Sequence, residues 1–236
     1  MMAAFPLSSS ARRRLLIAGT AFVIAGAAVS GSTALAASGS PSRATPAASE
    51  HSARLPRPVP VTVNPATTAY LVLDLTSVVC APSPSCVATL PAAAALLAKA
   101  RAAGATVIYS ETTTAGSQIL PQVAPQPADP IVKAHADKFT GTDLNQILQS
   151  RGIQTLVIVG SAANGAVLYT TFEGNLRGYT VVAAEDGLSA ASAFVMRYSL
   201  FQLLNEPGFT NPENTPLKAD GVTLSTSKLI KFQAAS

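Results

Sequence analysis

The sequence predicts an α/β fold, a three-layer sandwich with a mainly parallel central sheet flanked by helices. Three observations predict it. Thr68–Leu75 (TAYLVLDL) and Thr155–Gly160 (TLVIVG) are short, nearly continuous apolar runs, as expected of strands buried on both faces. Ala- and Leu-rich segments with helical spacing stand between such runs. The regular alternation of the two requires crossover connections, which make neighbouring strands parallel.

The elements follow in order. Residues 1–36 read as a secretory signal peptide: Arg12, Arg13 and Arg14, then an apolar Gly- and Ala-rich run, then a small-x-small end at Ala36. Interior Gly and Ser disfavour an uncleaved anchor, and the absence of a Cys after the run excludes a lipoprotein anchor. Both Sec and Tat export remain open, so the expected location is secreted or periplasmic, with no stable membrane anchor once the leader is cleaved. Residues 37–62 are rich in Ser, Ala and Pro and read as a disordered tether, because they hold too little apolar surface to offset chain entropy. Residues 63–236 form the domain. After the strand at 68–75 comes a helix over 88–103 closed by Gly104, then a strand over 106–110, a Pro-rich excursion and a short extended piece at 131–133. A helix from Thr142-Asp143 to Ser150, the strand at 155–160, a helix over 163–176, a strand over 179–184, a helix over 190–204 and an edge strand over 222–227 complete it.

The chain of 236 residues has a formal charge of +4. Residues 1–60 carry six arginines against one glutamate, whereas residues 61–236 carry ten basic against eleven acidic side chains. The basicity therefore belongs to the leader and tether, and a nucleic-acid partner is not expected. Cys80 and Cys86 enclose five residues; in an oxidising compartment a disulfide is favoured over two free thiols. With His135 as the one histidine of the folded region, no zinc set can be assembled, and no metal or other cofactor is expected.

Ligands of open α/β sheets bind beyond the carboxyl ends of the strands. Asp74 ends the first strand, Lys133 ends the short extended piece, and Gly160-Ser161-Ala162-Ala163-Asn164-Gly165 turns from strand to helix. A carboxylate, an ammonium and a nest of N–H groups are thus expected around one pocket for a small-molecule substrate or ligand. Each alone also suits a duller role: a capping Asp, a solvated Lys, a connecting turn.

AYLVLDL, VKAHADKFTGTDLNQILQSRGIQTLVIVG and SAANGAVLYTTFEGNLRGYTVVAAEDGLSA resemble, in that order, segments of the isochorismatase-like hydrolase superfamily, over residues 69–228. The resemblance implies a catalytic role for Asp74 and for a lysine, with Lys133 preferred over Lys138 by its spacing to Phe139. It places Ala166 where many members carry a nucleophilic Cys, so a thioester mechanism is not expected. It implies a non-proline cis peptide at Ser161-Ala162, an oxyanion-binding pair of N–H groups at Gly165 and Ala166, and Phe139, Asn164 and Tyr169 around the pocket. Members often form homo-oligomers; the sequence leaves that state open. Two readings survive: an exported, Cys-independent hydrolase of a small molecule using an Asp/Lys pair, and a ligand-binding pseudoenzyme of the same fold.

Overall fold

The structure, a computed structural model, describes residues 55–234. The signal peptide and most of the tether read from the sequence lie outside these residues. In chain order the elements are β1 (Val61–Val63), β2 (Thr68–Leu73), α1 (Pro84–Val87), α2 (Leu90–Ala102), β3 (Thr106–Glu111), β4 (Ile131–Lys133), α3 (Leu144–Ser150), β5 (Thr155–Ser161), α4 (Leu168–Leu176), β6 (Thr180–Ser189), α5 (Ala193–Asn205), β7 (Val222–Ser225) and β8 (Ile230–Phe232). Six of the strands form one sheet in the order β4-β3-β2-β5-β6-β7, every neighbouring pair parallel.

The two faces of this sheet are covered by separate cores, and alternation along β2 shows why. Leu71 and Leu73 point into a core with Leu144 and Leu148 of α3 and Leu200, Leu203 and Leu204 of α5. Tyr70 and Val72 point the other way, into a core with Leu90, Leu96 and Leu97 of α2 and with Val61, Val63 and Ile230 of the outer strands. All six residues of β2 are buried, as a double-faced strand requires. The buried Tyr70 hydroxyl is satisfied by donating to the Ala93 carbonyl of α2 at 2.9 Å.

The domain begins earlier than the sequence suggests. Residues 55–62 were expected in the tether, but Val61–Val63 pair in parallel with Ile230–Phe232. Just before them, the Val59 N–H donates to Leu224 O at 3.0 Å. Pro58 and Pro60 have no N–H to give, so the hydrogen bonds run through the intervening valines Val59 and Val61. Two further differences concern loops. The segment between the cysteines contains the short helix α1, started by Pro84. β6 runs on through Glu185-Asp186-Gly187 to Ser189, because its register with β5 shifts between Ile158 and Gly160. At Gly187 a Cβ would lie 2.5 Å from Val159 Cγ1, so the irregular stretch closes on β5 only with glycine there.

Polar side chains cap the open edge of β7. Asn214 accepts from Leu224 N–H at 2.7 Å and donates to Leu224 O at 2.9 Å, standing in for the peptide group of a missing strand. Asn211 donates to Val222 O at 2.8 Å in the same way.

Candidate functional site

The carboxyl ends of β2, β3 and β5 meet side by side. Leu73 is in register with Ser110 on one side and Gly160 on the other, and Glu111 of β3 is in register with Lys133 of the edge strand β4. Gly160 must be glycine, since its φ is +147° and a Cβ would lie 2.2 Å from Leu73 O. This close approach brings the strand-to-helix turn against the residue that precedes Asp74.

Asp74 sits just past β2 with a left-handed φ of 52°, a conformation that Asp tolerates better than most side chains. Its Oδ1 accepts from Ser110 Oγ at 2.7 Å and its Oδ2 from Lys138 Nζ at 2.7 Å. Lys138 Nζ also donates to Ala134 O at 3.2 Å and His135 O at 2.5 Å. Three acceptors match the three hydrogens of an ammonium, which is what allows this lysine to be fully buried. Burial pushes the Asp74 carboxyl above the usual range; the hydrogen bond and charge of Lys138 and the hydroxyl of Ser110 pull it down, and the charge of Glu111 adds to the rise. Burial prevails.

The partner of Asp74 is therefore Lys138 and not Lys133. Lys133 is 64% exposed and pairs with Glu111 at 2.9 Å on the rim. Spacing to Phe139 favoured Lys133. The turn over 134–138 instead doubles back, so that Lys138 reaches under its own backbone toward β2. The segment is closed by Thr142, whose hydroxyl donates to Lys138 O at 2.5 Å. Ser110 was missed: a lone Ser in the apolar run VIYSE, beside the Asp-bearing strand, was its only mark.

The turn after β5 contains a cis peptide bond between Ser161 and Ala162. Residues Ala163–Val167 then wind into α4 across a kink at Gly165, whose φ of −127° and ψ of −109° are not helical. There the Gly165 N–H donates to Ala162 O at 2.9 Å, so this group is occupied and does not serve as a free anion donor, contrary to the sequence reading. Ala166 is buried at the entry to α4. Both cysteines of the chain are joined, Cys80 to Cys86, with an S–S distance of 2.03 Å. No thiolate is thus present at Ala166 or elsewhere in the chain. The disulfide segment is fastened to the far side of the strand ends by Ser85 Oγ, which donates to Ala190 O at 3.0 Å.

The expected pocket residues separate. Phe139 is buried, stacked on Tyr179 with ring centroids 6.1 Å apart and covered by the Arg177 guanidinium at 4.7 Å, so it belongs to the core. Asn164 is exposed. Tyr169 is 53% exposed and lines a cavity of about 330 Å³ with His135, Ala136, Asp137 and Thr140, the turn that carries Lys138. That turn is tied to α4 by the Lys138 N–H, which donates to Thr170 Oγ1 at 3.2 Å. A larger groove of about 490 Å³ runs along α5 between Leu55, Phe194, Tyr198 and Phe201, and includes none of the candidate residues. Among the described residues no group of three or more His, Cys, Asp or Glu is placed to hold a metal ion.

Comparison with known proteins agrees with this architecture. The model of the isochorismatase domain family matches residues 68–206. The secreted isochorismatase effector Isc1 of Verticillium dahliae is 32% identical over 113 residues, 43% of this chain and 60% of the relative. The chain thus spans less than two thirds of that relative's length. A cysteine hydrolase from Pseudomonas syringae pv. phaseolicola superposes with a TM-score of 0.62 at 24% identity, over 73% of this chain and 94% of that one. An isochorismatase family protein from Burkholderia thailandensis gives a TM-score of 0.58 at 25% identity, over 73% and 96%.

Proposed function

The chain belongs to the isochorismatase domain family, and from that premise we propose that it is an exported, Cys-independent hydrolase of a small molecule, with Asp74 as the group that transfers the proton. The observation that carries this reading is the buried Asp74, held at both oxygens yet raised toward its protonated form by burial. A carboxyl shifted in that direction is moved toward the form that can give a proton to carbon. The substrate class that needs only this is an enol ether: Asp74 protonates the terminal vinyl carbon, leaving an oxocarbenium ion. Water adds to that cation and returns a proton to the Asp74 carboxylate. The hemiketal then collapses to an alcohol and a ketone. Lys138 is a positioning residue here: its three hydrogens are taken up by Asp74, Ala134 and His135, so it holds the carboxyl and does not bind substrate. Ala166 has no nucleophile to offer.

A second reading is a ligand-binding pseudoenzyme, favoured by Ala166 at the position where other family members place the nucleophile. One experiment separates the two. The mature chain from Ala37 is incubated with isochorismate as the enol-ether probe and with amides and esters, alongside Asp74→Asn. Hydrolysis of the enol ether abolished in Asp74→Asn is expected. Turnover that survives this substitution removes Asp74 from the mechanism, and binding without turnover supports the pseudoenzyme.

Export is supported by the leader-like first 36 residues, by the disulfide and by the secreted relative. No helix of the described residues is long and apolar enough to cross a membrane. Amino-terminal sequencing of the extracellular protein, with Ala37 expected as the first residue, tests it; retention in the cytoplasm at full length would overturn it.

A further inference from the structure

We propose that Ser110 is a positioning residue of this site, whose hydroxyl fixes the plane of the Asp74 carboxyl and so directs its one exchangeable proton toward the substrate. The inference rests on the reading of Asp74 as the proton-transferring group, and it is carried by geometry that the family comparison does not supply. Ser110 is 1% exposed, in β3 directly opposite Leu73. A hydroxyl at such a position is costly to bury unless both its donor and its acceptor functions are used. Both are. The Asp74 N–H approaches Ser110 Oγ at 3.2 Å, and the hydroxyl lies 2.7 Å from Asp74 Oδ1. With its oxygen facing an N–H, the serine has its hydrogen left for Oδ1, so the bond runs from Ser110 to the carboxyl.

The carboxyl is then gripped from two sides, by β3 at Oδ1 and by the 134–138 turn at Oδ2. Were Lys138 alone to hold it, the group could pivot about the Oδ2 contact and point its proton at protein. With both donors in place, each oxygen has lone pairs left only on the sides away from Ser110 and Lys138. A proton arriving on the carboxyl must occupy one of these, so the two donors set the direction in which it is held. Orientation of this kind acts on the rate of the chemical step more than on substrate affinity.

The test uses the mature chain with ¹³C-labelled aspartate, in the wild type, Ser110→Ala, Ser110→Cys and Ser110→Thr, with Asp74→Asn to assign the signal. Loss of the hydroxyl removes a hydrogen bond to the charged form, so the Asp74 titration in Ser110→Ala is expected to move up by about one unit. Ser110→Cys, a weaker donor of similar shape, is expected to move it part of the way, and Ser110→Thr to keep the wild-type midpoint. With isochorismate as probe, kcat is expected to fall by about 10- to 100-fold in Ser110→Ala with KM within about 3-fold, and Ser110→Thr to recover most of the rate. An Asp74 titration unchanged in both Ser110→Ala and Ser110→Cys overturns the inference; if the alanine variant does not fold, an unchanged Ser110→Cys does so alone. A wild type that turns over no enol ether defeats the proposed function, while the titration still decides the role of Ser110.

Discussion

Lys138 Nζ lies 2.7 Å from Asp74 Oδ2, and neither side chain is more than 5% exposed. Five residues earlier, Lys133 makes an ion pair of similar length with Glu111, yet its side chain is 64% exposed. The two lysines therefore answer differently to removal. Lys138→Ala leaves a buried carboxyl without its counter-charge and two carbonyls without a donor, and is expected to cost about 3 kcal/mol of stability along with the proposed activity. Lys133→Ala breaks a solvated pair and is expected to cost less than about 1 kcal/mol while turnover persists. Urea unfolding of the two variants, with turnover of the enol-ether probe, makes the comparison.

Because burial raises the Asp74 carboxyl, the proposed acid is present below its raised pKa and lost above it. The kcat of the wild type is expected to fall tenfold per pH unit on the alkaline side of that value, with a one-proton slope. In Ser110→Ala the same limb should move to higher pH. A pH–rate profile measured for both proteins reads the two together.

Glu206 follows α5 with Oε2 buried and without a hydrogen-bond partner among the described residues. Burial raises its carboxyl from 4.5 to about 7. Below the lower value both folded and unfolded chains hold the proton; between the two values only the folded chain does. Stability should consequently decline as pH rises across this window and level off above it. Glu206→Gln has no charge to bury, and is expected to be more stable than the wild type at pH 8 by about 1–2 kcal/mol, with the difference shrinking toward pH 4. Thermal melts of both proteins across that range provide the check.

The Cys80–Cys86 bridge closes a short loop already stiffened by Pro82 and Pro84. By chain entropy alone its removal in the double variant Cys80→Ser, Cys86→Ser should cost about 2 kcal/mol. The wild type should show two titratable thiols only after denaturation with reductant. Thiol counting and denaturant unfolding test both statements.

These expectations show how far residues alone led. TAYLVLDL and TLVIVG announced central strands because a strand buried on both faces must be apolar at every position, and Asp74 stood out as the polar residue that ends one. The lysine was harder. Its place depends on a turn whose carbonyls, Ala134 O and His135 O, fold onto the ammonium, and spacing along the chain does not encode that reversal. Gly165 was misread for a related reason: glycine-rich turns suggest free N–H groups, while here the chain kinks at Gly165 and its N–H turns back onto Ala162 O, three residues earlier. Phe139 was assigned to the pocket by its neighbourhood, but the Tyr179 ring and the Arg177 guanidinium, both distant in sequence, claim it for the core. β1 escaped because three residues among prolines carry too little periodicity to stand out from the tether.

β1 has a consequence for how the molecule is made. Its partner β8 lies about 170 residues downstream, and Val59 and Val61 find their acceptors at Leu224 and Leu229. The earliest strand of the domain thus waits for the latest. During vectorial synthesis, or passage through a translocation channel, Val61 and Val63 stay unpaired until nearly all of the chain has emerged, and closure by so non-local a contact is slow. The two-stranded β1–β8 pair is therefore the last piece to close, over a six-stranded sheet to which neither strand belongs.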